Sequence, residues 1–208
     1  MIQNQLINRD EIFSLYRENI KNFIVLDDDE WGIFKTFLKI KILKKNEYFV
    51  KTAKTCKEMG FIIKGAVRFC NIVDGKEITG YFSFENNFVT ALKSYHTEKP
   101  SLYDIKTLEE TFFVTISKNN MQAMLNHPVL SCKIERFSRL ISESFNILFE
   151  DRIKSFIVKT PEERYLDLLK SGKDIVKRIP VQYIAQFIGI TPVSLSRIRK
   201  RIVESSAF

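Results

Sequence analysis

Between Pro180 and Ile202 the apolar residues are spaced as two short helices joined by a tight turn. Ile184, Ala185 and Ile188 fall at i, i+1 and i+4 and form the inner stripe of a first helix, and Gly189 follows where the turn needs a positive φ. Ala185 is small where a second helix must cross closely. Thr191 is placed to cap that second helix, Pro192 fits its first position, and Leu195, Ile198 and Ile202 supply its buried stripe. Val193, Ser194, Ser196, Arg197, Lys200 and Arg201 are left facing outward. A helix-turn-helix of this kind points to DNA reading; the competing reading is a capped helix pair with a basic tail that never meets nucleic acid. Charge favours the first. Seven basic residues (Lys173, Lys177, Arg178, Arg197, Arg199, Lys200 and Arg201) stand against one acid, Asp174, as phosphate contacts require.

The 208-residue chain carries a formal net charge of +8, so this stretch holds most of the excess. At 45% hydrophobic and 12% aromatic it is globular, with room for one large or two small domains. Cys56, Cys70 and Cys132 are an odd number, widely spaced, and read as reduced cytosolic thiols. No signal-peptide order opens the sequence, and no apolar run approaches the roughly 18 residues of a membrane span, so a cytoplasmic protein without a membrane partner is expected. His96 and His127 are at ligand spacing from no other His or Cys, so no metal and no cofactor is expected. The same shortage argues against a cupin-like enzyme, which needs a histidine cluster in its barrel.

Asn8 to about Leu38 reads as two helices, the second capped by Asp27 or Asp28. From Ile40 to Ile116 short β-rich runs follow: 47–51, 61–63, 67–73, 76–84, 104–108 and 111–116. Asp74-Gly75 is a strong hairpin turn between two of them, and many short strands suggest a barrel or jelly roll. Ser117 caps a short helix, and a long helix runs from Val129 to about Val158 with two apolar stripes. Leu130, Ile134, Phe137, Ile141 and Leu148 make the regular one; Leu140, Phe145, Ile147, Phe149, Ile153 and Phe156 lie partly on another side. One stripe packs on the β-domain and the other on a second copy, and the regular one is taken as the dimerisation stripe. Thr160-Pro-Glu-Glu163 is a capping box that opens a helix ending near Ser171-Gly172, with a domain boundary around Lys159.

Phe61-Ile-Ile-Lys-Gly-Ala-Val-Arg-Phe69, the Asp74-Gly-Lys-Glu77 hairpin, Glu163-Arg-Tyr-Leu166 and Ile184-Ala-Gln-Phe-Ile-Gly-Ile-Thr191 with Leu195-Ser-Arg-Ile198 occur in the order in which the chain resembles the Crp/Fnr family of bacterial transcription regulators, in particular a subgroup common in Bacteroidetes. The resemblance implies an α+β fold: N-terminal helices and a cyclic-nucleotide-binding-like jelly roll (1–128), a dimerisation helix (129–158) and a C-terminal winged helix-turn-helix (159–208). It implies a non-enzymatic homodimer that binds a palindromic promoter site. The partners are then double-stranded DNA, a second copy and RNA polymerase, with a small-molecule effector of unknown identity or none.

The resemblance does not imply cyclic AMP. Thr90 and Ala91 stand where nucleotide-binding members have Gly-Glu, and Ser101 stands where they have the phosphate-holding Arg. The effector pocket it suggests would be lined by Phe82, Phe88, Thr90, Ala91, Ser101 and Leu102, unless aromatic residues simply fill the roll, the commoner case in small barrels. The DNA-binding set is Gln182, Thr191, Val193, Ser194, Ser196, Arg197, Arg199, Lys200 and Arg201, with Arg197 as base reader and the last three on phosphates or solvent. The alternative is a small-molecule-binding or protein-interaction module that uses this fold without DNA.

Overall fold

A computed structural model describes residues 8–170, 172 and 176–205. Ser171, Lys173 and Asp174 lie outside the described residues. Helix α1 (Arg9–Asn19), a 3-10 turn (Ile20–Asn22) and α2 (Asp28–Thr36) open the fold. Asp27 starts α2 with a full capping box: its side chain accepts the Glu30 N–H, and the Glu30 side chain accepts the Asp27 N–H.

Eight antiparallel strands follow: β1 (Leu38–Leu43), β2 (Tyr48–Val50), β3 (Glu58–Lys64), β4 (Val67–Val73), β5 (Lys76–Ser83), β6 (Phe88–Val89), β7 (Asp104–Thr107) and β8 (Thr111–Ser117), with a short helix α3 (Leu92–Thr97) between β6 and β7. They form two four-stranded sheets, ordered β1-β8-β3-β6 and β2-β7-β4-β5. The β4–β5 hairpin turns at Asp74 and Gly75, which both have positive φ, as a two-residue turn matched to strand twist requires. Gly65 has φ +108°, and a side chain there would meet the Thr111 backbone at 2.7 Å, so the glycine of the Phe61–Phe69 segment is fixed by conformation and by space together.

Strands β1 and β6 and helix α3 have no counterpart in the sequence-based expectation. The second N-terminal helix, expected to run to about Leu38, ends at Thr36, and Leu38 begins β1 and pairs with Ile116.

Ser117 caps α4 (Lys118–Leu125), accepting the Asn120 N–H at 3.1 Å. Helix α5 (Ser131–Val158) then crosses the roll. Its regular stripe corrects the dimerisation assignment: Leu130, Ile134, Phe137 and Ile141 are at most 1% exposed, inside the chain's own core. Phe137 meets Phe23, Phe34 and Phe88 with ring centroids 5.8–6.4 Å apart. The roll therefore occupies the face assigned to a second copy, and only Leu148 of that set is exposed. Of the second stripe Ile147, Phe149, Ile153 and Phe156 are exposed while Phe145 is buried, and Ile157, outside that stripe, is exposed beside them.

Candidate nucleic-acid interface

Beyond α6 (Pro161–Lys170) the chain forms α7 (Val181–Ile188) and α8 (Pro192–Ser205). Ile184, Ala185 and Ile188 are fully buried, and Leu195 and Ile198 pack with them. Gly189 adopts φ +80°, and its N–H and that of Ile190 close α7 onto Gln186 O and Ala185 O at 3.1 and 2.9 Å. Thr191 Oγ1 accepts the Ser194 N–H at 3.2 Å and so caps α8, with Pro192 in its first turn. The pair has the geometry the spacing implied. Gln182, Thr191, Val193, Ser196, Arg197, Lys200 and Arg201 are exposed, and Ser194 and Arg199 are half-buried.

The basic residues are less free than a count suggests. Arg199 donates to Tyr165 Oη at 3.0 Å and lies over its ring, so it braces α8 on α6 rather than waiting for a phosphate. Arg201 pairs with Glu162 at 2.7 Å, and Lys200 is 3.8 Å from Glu204. Arg178 is clamped by Glu85 and Glu109 on the roll. Among the described residues Arg197 has no ion pair and no hydrogen bond from its side chain, and it lies at the middle of the outward face.

The unit is held by residues that the sequence reading left without a role. Arg164, only 9% exposed, donates from Nε to Ile188 O at 3.0 Å and from Nη1 to the carbonyls of Ser155 and Lys159, so one guanidinium closes the ends of α5 and α7. Strand β5 is a sheet edge, and Gln186 on α7 covers it as a strand would: it accepts the Thr79 N–H and donates to Glu77 O, both at 3.0 Å. Arg68 of β4 is buried, pairs with Glu77, and lies 4.2 Å from the Tyr183 ring centroid on α7. Phe82, expected in an effector pocket, instead lies with its ring centroid 5.2 Å from that of Phe187 of α7, in a core that joins Ala66 and Leu108 of the roll to the helix-turn-helix.

Burial pushes the Glu85 carboxyl up, but hydrogen bonds from Arg178 and from the Gly65 N–H outweigh it and hold the group below its ordinary 4.5. A carboxylate with a lowered folded value stabilises the docked state above its unfolded value, and this contribution is lost as pH falls through the folded one. On titration from about pH 7 to about pH 3, the protection of α7 amides against exchange, referred to the intrinsic rate at each pH, is expected to fall before that of β3 and β8. Simultaneous loss of protection in both regions would show that the Arg178 clamp does not govern docking.

Between α5 and the roll lies a cavity of about 230 Å³, lined mainly by aromatic residues such as Phe69, Tyr81, Phe88, Tyr103 and Phe145, with Arg152 as its one charged residue. Of the expected pocket residues, Phe88 and Thr90 line it. Ala91 and Ser101 are buried elsewhere, the Ser101 hydroxyl donating to Tyr103 O at 2.7 Å, and Leu102 is 69% exposed. Arg152 Nη2 donates to Gly80 O on β5 and to Phe187 O on α7. Burial, with Arg164 nearby, lowers this guanidinium to about 10. Cys70, Glu77 and Asp104 bring three metal-type ligand atoms within 4.8 Å of one another, but Arg68 and Lys106 already neutralise Glu77, and burial raises the Cys70 thiol to about 11. That chemistry suits an ion-pair network better than a cation.

Several solved structures share this arrangement. FixK2 from Bradyrhizobium japonicum superposes with a TM-score of 0.69 at 14% identity, over 81% of this chain and 86% of that one. The c-di-GMP-responsive global regulator CLP of Xanthomonas campestris gives 0.66 at 14%, over 86% and 93%. The chain has the Crp/Fnr fold. A cyclic nucleotide-binding domain containing protein of Listeria monocytogenes adds a TM-score of 0.62 at 15% identity, over 94% of this chain and 92% of that one. No protein-family model and no curated protein matches the sequence. Within the Crp/Fnr fold one detail departs from expectation: among the described residues no strand follows β8, so the wing strands of a winged helix-turn-helix are not among them. No helix of the described residues is long and apolar enough to cross a membrane.

Proposed function

We propose that the protein is a homodimeric, cytoplasmic, non-enzymatic transcription regulator that binds a two-fold symmetric DNA site through α8. The observation that carries this reading is a capped α8 whose outward face presents Val193, Ser196 and Arg197 to solvent with Arg197 free of any acid, on a scaffold shared with FixK2 and CLP. Dimerisation is supported by the open ridge Phe149, Ile153 and Ile157 on α5, now in place of the buried stripe. RNA polymerase is the further partner of such a regulator. Selection of duplexes from a random pool is expected to return a palindrome with half-sites about 10 base pairs apart, bound with an affinity that falls steeply with salt. Recovery of no common sequence would favour a protein-interaction role.

Cyclic AMP and cyclic GMP are expected not to bind at micromolar concentration in calorimetry. Ser101 is buried and committed to Tyr103 O, so it supplies no cation for a cyclic phosphate, and the cavity of about 230 Å³ is small for a ribose and a purine. A micromolar dissociation constant for either nucleotide would overturn this.

A further inference from the structure

The outward face of α8 that carries Val193, Ser196, Arg197 and Lys200 keeps few groups free to read a base. In its first turn Thr191 Oγ1 accepts the Ser194 N–H and lies 3.0 Å from Ser194 Oγ, so both hydroxyls serve the helix cap. Ser196 Oγ donates to Pro192 O at 3.1 Å, and Lys200 lies 3.8 Å from Glu204. Val193 and Arg197 remain exposed and, among the described residues, uncommitted. Four positions separate them, which places them about 6 Å apart along the helix axis and about 40° around it, opposite the buried Leu195 and Ile198. A single exposed apolar residue is ordinary on a protein surface. Val193 differs by its place, 63% exposed in the first turn of α8 and one turn before the free guanidinium. Its β-branch leaves χ1 little choice in a helix, so its two methyl groups form a rigid apolar knob on the face that bears Arg197.

We propose that Val193 is a base reader whose methyl groups contact the C5-methyl of one thymine in each half-site, close to the guanine read by Arg197. The proposal rests on the reading of the protein as a regulator that binds DNA through α8. The C5-methyl is the apolar group that sets thymine apart in the major groove, and a valine, with no donor and no acceptor, gains nothing from the polar edges of the other bases. A spacing of about 6 Å along α8 corresponds to about two base-pair steps of about 3.4 Å, so the thymine and the guanine fall close together in one half-site. Because the contact is to a methyl group, it is lost when thymine becomes deoxyuridine, which keeps every hydrogen-bonding group of the base. It is regained when a cytosine at that position carries a 5-methyl group.

The test starts from the duplex that selection returns for the full chain. Each thymine is replaced in turn by deoxyuridine, and affinity is measured by competition. At one thymine per half-site the replacement is expected to weaken binding about fourfold for each half-site changed, the worth of one buried methyl group. At that position 5-methylcytosine is expected to bind more tightly than cytosine by about the same factor. Val193→Ser, an exposed change that should leave the melting temperature unaltered, is expected to bind the thymine and deoxyuridine duplexes alike. The deoxyuridine series on the unaltered chain holds even if the variant fails to fold. A chain indifferent to deoxyuridine at every thymine, a selected half-site without thymine, or a folded Val193→Ser variant that keeps the full fourfold sensitivity overturns the proposal while the regulator reading stands. Recovery of no common duplex refutes that reading, and the assignment of Val193 falls with it.

Discussion

Ile153→Glu is expected to convert a dimer into a folded monomer at micromolar concentration, whereas Phe137→Glu, on the same helix, is expected to unfold the roll. The difference follows from what each side chain touches. Ile153 is 61% exposed between Phe149 and Ile157, each one helical turn away, so in the monomer a carboxylate there stays hydrated and costs little. In a symmetric dimer two such carboxylates meet across a desolvated interface, and the same substitution becomes unfavourable twice over. Phe137 is fully buried against Phe23, Phe34 and Phe88. Truncating such a ring costs about 3–5 kcal/mol, and an unpaired buried charge adds more, against a total stability of about 5–15 kcal/mol. Sedimentation separates monomer from dimer, and circular dichroism on heating reports the fold. If Ile153→Glu stays dimeric while folded, the apolar ridge on α5 is not the interface.

Local chemistry made the scaffold readable. Ser117, Thr160 with Glu163, and the Asp74-Gly75 turn each set an element boundary through contacts within four residues, and the structure keeps them; of the two caps open for α2 it uses Asp27. Strand β6 is only two residues long and α3 has no side-chain cap, so neither left a pattern to read. The two faces of α5 posed a different difficulty. Both are apolar at helical spacing, and which of them turns inward is decided by the roll, which the helix's own sequence does not contain. The more regular stripe is the one the roll holds, since a packed core selects regular spacing as strongly as a coiled coil does.

In the site, the outward face of α8 was legible because capping and burial fix every rotation of a short helix. Its attachments were not. Gln186 meets Glu77 across 109 positions, and Arg178 meets Glu85 across 93, so each reads in sequence as one more polar surface residue. Arg164 stood within the Glu163-Arg-Tyr-Leu166 segment that carried the family resemblance, and that recurrence was the available signal for its structural task. The pairing of Arg178, Arg199 and Arg201 also shows why a count of basic residues overstates the charge offered to DNA.

Arg197→Ala is therefore expected to have the largest effect on recognition of any single change on α8. Its guanidinium is exposed and, among the described residues, held by no acid, so on binding DNA it would enter a major groove without first breaking an ion pair. Bidentate contact with guanine O6 and N7 would give the residue about 1–3 kcal/mol of discrimination, and the variant should lose that amount on the preferred site and become indifferent at one base pair per half-site. Lys200, 3.8 Å from Glu204 and nearer the end of the exposed face, should behave otherwise: Lys200→Ala is expected to weaken binding to all sequences alike and to reduce the salt slope by about one. Arg199→Ala is a third case, because the loss of its hydrogen bond to Tyr165 acts on the packing of α8 and should lower thermal stability as well as affinity. Competition binding against point-substituted duplexes at two salt concentrations, with a melt of each variant, distinguishes the three. Were Arg197→Ala to lower affinity equally for every sequence, its contact would be with phosphate, and base reading would fall to Val193 and Ser196 in the preceding turn of the same exposed face.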